Sequence, residues 1–258
     1  MSLNITIHLL DQIHTLAKAA GDEILKIYDT DFVVQNKADK SPVTAADRIA
    51  DTLICETIRT EVTDHFPIIS EESYDETGAH GDLSSSPFWL IDPLDGTKEF
   101  INRNGEFTVN IALIENGLPV LGVVHVPVSG RTYLGSPHGA FVEKDAAGPQ
   151  PISARTPPPQ GLVAVVSRSH KNQETEDYLA DFSIQEEVTA GSSLKFCMIA
   201  EGRADLYPRF GRTMEWDTAA GHGVLRHAGG DVRKQDGGVL TYGKAGFENP
   251  FFIARGRS

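Results

Sequence analysis

The sequence predicts an α/β protein in two parts, and three observations carry that expectation. Apolar residues recur at helical spacing near the N-terminus, short β-rich runs follow one another through the middle, and strands and helices alternate after residue 161. The segment Thr156-Pro157-Pro158-Pro159-Gln160-Gly161 is the sharpest break in composition and places a boundary between residues 1–155 and 156–258.

Leu9, Ile13, Leu16, Ala17, Ala20, Ile24 and Ile27 recur at intervals of three and four, with Asp11, Lys18, Asp22 and Lys26 between them, which reads as an amphipathic first helix. Phe32 to Gln35 reads as a short strand. Ser41-Pro42-Val43-Thr44 then supplies turn and N-cap residues for a second helix carrying Ile49, Leu53, Ile54 and Ile58, with Asp47 in its first turn. Phe66 to Ser70 and Phe88 to Ile91 are apolar runs that stop abruptly at acids, so Glu71 and Asp92 are expected at the ends of buried strands. Runs over 107–114, 120–126, 131–134 and 140–142, with a turn at Asn116-Gly117, predict an antiparallel meander. Beyond the break, strands are expected over 162–166 and 205–207, and helices over 173–180, 193–201 and 218–227, the last closed by Gly229-Gly230.

Hydrophobic residues make up 40% of the chain and charged residues 23%, as in ordinary folded proteins. The 36 Asp and Glu exceed the 23 Lys and Arg to give a net charge of −13, which repels nucleic-acid and anionic-lipid surfaces and argues against a polymeric nucleic-acid partner. Small anions stay accessible to such a chain where divalent cations reverse the local field. Cys55 and Cys197 lie far apart within helical patterns and read as buried, reduced thiols. The chain shows neither a signal-peptide pattern nor an apolar run of transmembrane length, so a cytoplasmic location is expected, with peripheral contact at the inner membrane left open.

The chemistry concentrates in Asp92-Pro93-Leu94-Asp95-Gly96-Thr97, which leaves a buried strand and enters a short helical stretch. The i, i+3 spacing of its two acids can turn both carboxylates to one point, where a hard divalent cation would relieve their repulsion. The N–H groups of Gly96 and Thr97 at a helix start suit a phosphate. Taken alone, the fragment equally fits an Asx-type turn in which Asp92 and Asp95 cap a helix. Glu71 in Ser70-Glu71-Glu72-Ser73 and Asp217 in Glu215-Trp216-Asp217-Thr218 add acids at two further element ends, and together the four suit a two-metal site.

Ile69-Ser70-Glu71-Glu72-Ser73, Trp89 to Thr97 and Glu215 to Gly221 resemble, in order and spacing, the signature motifs of the inositol monophosphatase superfamily of Mg²⁺-dependent, lithium-sensitive phosphatases, over nearly the whole chain. The resemblance implies a layered α-β-α-β-α sandwich of the inositol monophosphatase and fructose-1,6-bisphosphatase type, with the active site between its halves. It implies one Mg²⁺ on Glu71, Asp92 and the carbonyl of Leu94, a second on Asp92, Asp95 and Asp217, and a weaker third near Glu71. Asp47 matches the residue that, with Thr97, orients and deprotonates the attacking water in an in-line displacement without a covalent phosphoenzyme. Without the resemblance, Asp47 reads as a first-turn acid favourable to the helix dipole. A homodimer is common among relatives.

Lys98-Glu99-Phe100-Ile101, Gly191 to Cys197 and Ala204 to Phe210 resemble the 3′(2′),5′-bisphosphate nucleotidase branch, which implies adenosine 3′,5′-bisphosphate as substrate and leaves phosphoadenylylsulfate open as a second one. Its two phosphates would be received by Glu71, Leu94, Asp95, Gly96, Thr97, Lys98 and Asp217 around the metals and by Ser192, Ser193, Lys195 and Arg209 away from them. Ser192 and Lys195 also fit a helix cap and a solvated helix residue. His170 resembles the same branch but reads as a surface loop residue and stays outside the catalytic set. Two other readings are an inositol or histidinol phosphatase and a non-catalytic regulator; the second is disfavoured because Asp47, Glu71, Asp92, Asp95, Thr97 and Asp217 are all present.

Overall fold

In the computed structural model, which describes residues 4–31, 33–36, 42–74, 83, 86–144, 148–168 and 172–257, helix α1 spans Ile7–Tyr28. It begins where the Thr6 hydroxyl accepts from the Leu9 N–H at 3.0 Å, and its stripe of Leu9, Ile13, Leu16, Ala17, Ala20 and Ile24 is buried. Helix α2 (Ala45–Thr57) runs into a single π-helical turn over Ile58–Val62. Its inward face is Ala46, Ala50, Ile54 and Ile58, whereas Ile49, one position before Ala50 and so rotated about 100° from it, is 45% exposed. A two-stranded ribbon pairs β1 (Gln35–Asn36) with β2 (Pro42–Val43). Of the strand expected over 32–35, residue 32 lies outside the described residues, as does His170.

The middle of the chain forms a seven-stranded sheet in sequential order: β3 (Ile68–Ser70), β4 (Phe88–Asp95), β5 (Thr108–Glu115), β6 (Leu118–Val126), β7 (Arg131–Ser136), β8 (Gly139–Glu143) and β9 (Gln150–Ile152). β3 and β4 pair in parallel, and the strands from β4 onward form the expected antiparallel meander. β4 runs four residues past Ile91, and its register against β5 breaks between Asp92 and Asp95. Helix α3 (Thr97–Ile101) follows, with Gly96 before it at φ 91°. A bulge, not a helical turn, therefore sets the spacing of Asp92 and Asp95.

After residue 161 the chain builds a five-stranded sheet in the order β11-β10-β12-β14-β13, from β10 (Leu162–Ser167), β11 (Ile184–Ala190), β12 (Leu206–Arg209), β13 (Asp231–Lys234) and β14 (Phe252–Arg255). Helices α4 (Gln173–Leu179), α5 (Leu194–Ala200) and α6 (Glu215–His227) accompany it. α6 starts three residues earlier than the expected Thr218, because the Asp217 carboxylate accepts from the Met214 N–H at 2.8 Å and sets the cap there. β11 and β13, at the two sheet edges, read Ile-Gln-Glu-Glu-Val-Thr-Ala and Asp-Val-Arg-Lys. Their charge protects open edges and hides the strand pattern.

α1 and α2 cover one face of the large sheet, α5 and α6 lie between the two sheets, and α4 packs outside the smaller one, giving the expected α-β-α-β-α layering. α6 presses closely on the large sheet through glycine. A Cβ at Gly122 would lie 2.3 Å from the Ala220 carbonyl oxygen, and one at Gly135 would lie 2.5 Å from Val224 Cα. The largest buried cluster joins Ile69, Ala112 and Val124 of the first sheet to Phe196, Trp216 and Phe252 of the later segments. Cys55 and Cys197 are buried and free. Among the described residues, no helix is long and apolar enough to cross a membrane.

Candidate active site

Three acids from three separate elements meet at one point. Carboxylate oxygens of Glu71, directly after β3, of Asp92 in β4 and of Asp217 in the first turn of α6 lie within 4.8 Å of one another. Asp92 is 1% exposed, and its Oδ1 accepts from the Leu94 N–H at 3.1 Å, so the chain folds back around that carboxylate in an Asx turn. Glu71 is held to β4 by its own N–H, which donates to the Ile91 carbonyl at 3.1 Å. Asp95 and Asp217 both line a cleft of about 270 Å³ between the two sheets, together with Glu71, Thr97, Lys195 and Arg209.

Burial raises the Asp95 carboxyl to about 6, with Lys195 opposing the rise and Glu71 and Glu99 adding to it. Burial likewise pushes Asp217 well above the usual carboxylate range, and Asp95 and Glu71 push it further. Acids that repel one another inside a partly dry cleft are stabilised as anions by a cation seated among them. An all-oxygen donor set of this kind fits Mg²⁺.

Asp47 occupies the third position of α2, where both the N–H and the hydroxyl of Thr44 donate to its Oδ2, at 2.8 and 2.7 Å. This capping box fixes the carboxylate, and the Thr97 hydroxyl reaches its Oδ1 at 3.4 Å. Burial raises the Asp47 carboxyl while the Thr44 contacts pull it down, and the net displacement is upward. One turn along α2, Asp51 accepts from the Ser70 hydroxyl and so ties the helix to the end of β3, one residue before Glu71.

Another wall of the cleft is cationic. Lys195 is 5% exposed, with its ammonium donating to the carbonyls of Ser192 and Ala190 at 2.6 and 3.4 Å and lying 5.3 Å from the Tyr207 ring centre. Burial brings its pKa down to about 8, with Asp95 opposing. Arg209 is 8% exposed and donates to the Arg212 carbonyl at 3.1 Å, while its Nε has no hydrogen-bond partner among the described residues. Gly96, Lys98 and Ser192 also line the cleft, Lys98 from an exposed position.

The two serines differ. Ser192 forms part of the wall but donates its hydroxyl to the Glu106 carbonyl at 2.7 Å. Ser193 is 1% exposed, donates to the Asp217 carbonyl at 2.8 Å and accepts from Asn110 Nδ2 at 3.0 Å. Its hydroxyl serves the framework. The same Asn110 amide reaches Asp95 Oδ2 at 3.4 Å, linking Asp95 through Ser193 to the backbone of Asp217.

Sequence reasoning missed Asn110, Glu99 and Glu106. Asn110 was the one polar residue in an otherwise apolar run from Val109 to Ile114, an anomaly that could have marked it. Glu215 sits beside the site but serves structure: fully buried, it accepts from the N–H groups of Gly243 and Lys244 and pairs with the Lys244 ammonium at 2.6 Å.

The model of the inositol monophosphatase family matches residues 8–251. The chain is 47% identical over 247 residues to a 3′(2′),5′-bisphosphate nucleotidase CysQ of Escherichia coli (strain K12), covering 95% of this chain and 98% of that one. It is 42% identical over 256 residues to a protein of the same name from Buchnera aphidicola, at 97% and 95% coverage. Among solved structures, CysQ from Bacteroides thetaiotaomicron, a bacterial member of the inositol monophosphatase family, superposes with a TM-score of 0.83 at 38% identity, covering 97% of this chain and 98% of the other. An inositol monophosphatase from Anabaena sp. PCC 7120 gives 0.77 at 28% identity, with 97% and 91% coverage.

Proposed function

The chain belongs to the inositol monophosphatase family, and from that premise we propose that it is a metal-dependent 3′(2′),5′-bisphosphate nucleotidase, removing the 3′-phosphate of adenosine 3′,5′-bisphosphate to leave AMP and phosphate. The single observation that carries the reading beyond the family is the pairing, in one cleft, of the Glu71 and Asp217 carboxylates, which meet the buried Asp92 within 4.8 Å, with the buried cations Lys195 and Arg209. A substrate with one phosphate to lose and another to hold needs both kinds of wall.

In this reading Glu71, Asp92 and the Leu94 carbonyl would hold one Mg²⁺, Asp92, Asp95 and Asp217 a second, and Glu71 would border a third. Bound there, Mg²⁺ supplies Lewis-acid polarisation of the phosphate ester and offsets charge on the departing oxygen. Asp47 takes the proton of the attacking water. Its Oδ2 is committed to Thr44, so Oδ1, on the Thr97 side, is the oxygen that receives it. The backbone N–H groups of Gly96 and Thr97 orient the cleaved phosphate, and Lys98 borders it from the cleft mouth. Lys195, Arg209 and the Ser192 backbone receive the second phosphate, while Ser193 holds Asp217 in place. The division into halves at residues 155 and 156 then has a function, with residues 1–155 giving most metal ligands and 156–258 giving Asp217 and the nucleotide subsite.

The test is a panel of adenosine 3′,5′-bisphosphate, phosphoadenylylsulfate and inositol 1-phosphate, each with Mg²⁺, without it, and with Li⁺ added. We expect Mg²⁺-dependent release of phosphate, fastest from the bisphosphate. A preference for inositol 1-phosphate would sink the nucleotidase reading.

A further inference from the structure

The loop between α3 and β5 carries Glu106, a residue of the first half that is engaged almost entirely by the second. Arg168 pairs with its carboxylate in fork geometry, Nε to Oε2 at 3.0 Å and Nη2 to Oε1 at 2.7 Å. The Gly191 N–H donates to Oε2 at 2.8 Å, and the Ser192 hydroxyl donates to the Glu106 carbonyl at 2.7 Å. The loop is itself braced, because the Glu106 N–H donates to Asn104 Oδ1 at 2.9 Å.

These contacts hold a turn that would not form unaided. Ser192 has φ 39°, in the left-handed region that a non-glycine residue occupies only when its surroundings impose it. A Cβ at Gly191 would come 2.8 Å from the Glu106 carbonyl oxygen, so the two segments meet backbone to backbone and leave no room for a side chain. The carbonyls that the turn presents, from Ala190 and Ser192, are the acceptors of the Lys195 ammonium. Glu106 fixes the turn, and the turn fixes Lys195.

We propose that Glu106 is a positioning residue for the receptor of the second phosphate, acting through the 190–192 turn on Lys195. The inference rests on the nucleotidase reading and deepens it. Glu106 itself, being an anion, does not touch the phosphate; it sets where the cation stands, and so decides how strongly the chain prefers a bisphosphate to a monophosphate.

The experiment compares adenosine 3′,5′-bisphosphate with adenosine 3′-monophosphate in the full-length protein with Mg²⁺, for the unmodified chain, Glu106→Gln and Arg168→Ala. Arg168 is half exposed, so its truncation carries little folding risk. In both variants KM for the bisphosphate rises about tenfold or more while kcat holds within about threefold, and kcat/KM for the monophosphate stays put. Equal losses on both substrates, or none on either, overturn the inference while the preference of the unmodified chain keeps the nucleotidase reading standing. An unmodified chain that treats the two nucleotides alike overturns both.

Discussion

The amide of Asn110 donates to the hydroxyl of Ser193 at 3.0 Å, across 83 residues of sequence and between a strand of the first sheet and the start of α5. Because the same amide reaches Asp95 and Ser193 in turn donates to the Asp217 backbone, two of the proposed metal ligands share one support. Asn110→Ala removes it. The variant needs roughly tenfold more Mg²⁺ for half-maximal rate and loses about 1–3 kcal/mol of stability through its buried, abandoned partners. Activity titrated against Mg²⁺ and urea unfolding of the metal-free protein check the two effects separately.

Asp95→Asn keeps the size of the side chain and discards the charge. Turnover falls at least about a hundredfold, read from steady-state phosphate release at saturating Mg²⁺. Near-normal turnover would contradict the placing of a second metal on Asp95.

Metal removal is visible without substrate. Mg²⁺ at about a hundred times its dissociation constant stabilises the folded chain by about 2.7 kcal/mol, a rise in melting temperature of about 5–10 °C at this chain length. Thermal scans with Mg²⁺ and with a chelator test this, and the gain shrinks sharply in Asp95→Asn.

Three histidines make the fold sensitive to acid. Burial lowers His222 to about 3, with Arg226 adding to the effect, and lowers His125 and His227 to about 4, helped by Lys18 and by Arg226 respectively. For a base whose folded value is depressed, the unfolded chain binds the extra proton. Stability is complete above the unfolded value near 6.5 and is lost as pH falls toward the folded values, by up to about 1.4 kcal/mol per pH unit for each histidine. Urea unfolding at pH 7.5 and 5.5 with saturating Mg²⁺ shows the loss, and His222→Gln reduces its slope by about a third.

Gly135→Ala destabilises by about 2–3 kcal/mol, because the new methyl meets Val224 Cα, which cannot rotate away. Gly130→Ala makes a useful contrast: its φ is 66°, yet none of the described residues lies within 4 Å of the added atom, so only the backbone preference is lost, about 1 kcal/mol. Chemical denaturation ranks the two. Activity falls with the first alone, since α6 carries Asp217.

The layers were legible where periodicity and burial agree. α1 has one continuous stripe, and strands β4 to β8 are apolar enough to announce themselves. β11 and β13 were invisible because edge strands conceal their pairing under charge. In the site, acids at element ends stand out in one dimension: Glu71, Asp92 and Asp217 are each anomalous after or before an apolar run. The residues that hold them do not. Asn110 meets Ser193 across 83 residues and Glu106 meets Gly191 and Ser192 across 85 and 86, and no local spacing encodes those. The i, i+3 reading of Asp92 and Asp95 used the wrong geometry, since a broken strand register sets their positions.

The glycine contacts beneath α6 also order events in time. The face of the large sheet bearing Ala112 and Val124 is synthesised long before the helix that covers it, and stays wet until residues 215–227 have left the ribosome. The helix that closes that face also brings Asp217 to Glu71 and Asp92, because it carries the acid in its first turn. A chain that stops before residue 215 therefore carries Glu71 and Asp92 without Asp217, the acid that completes their cluster, and without the helix that covers this face.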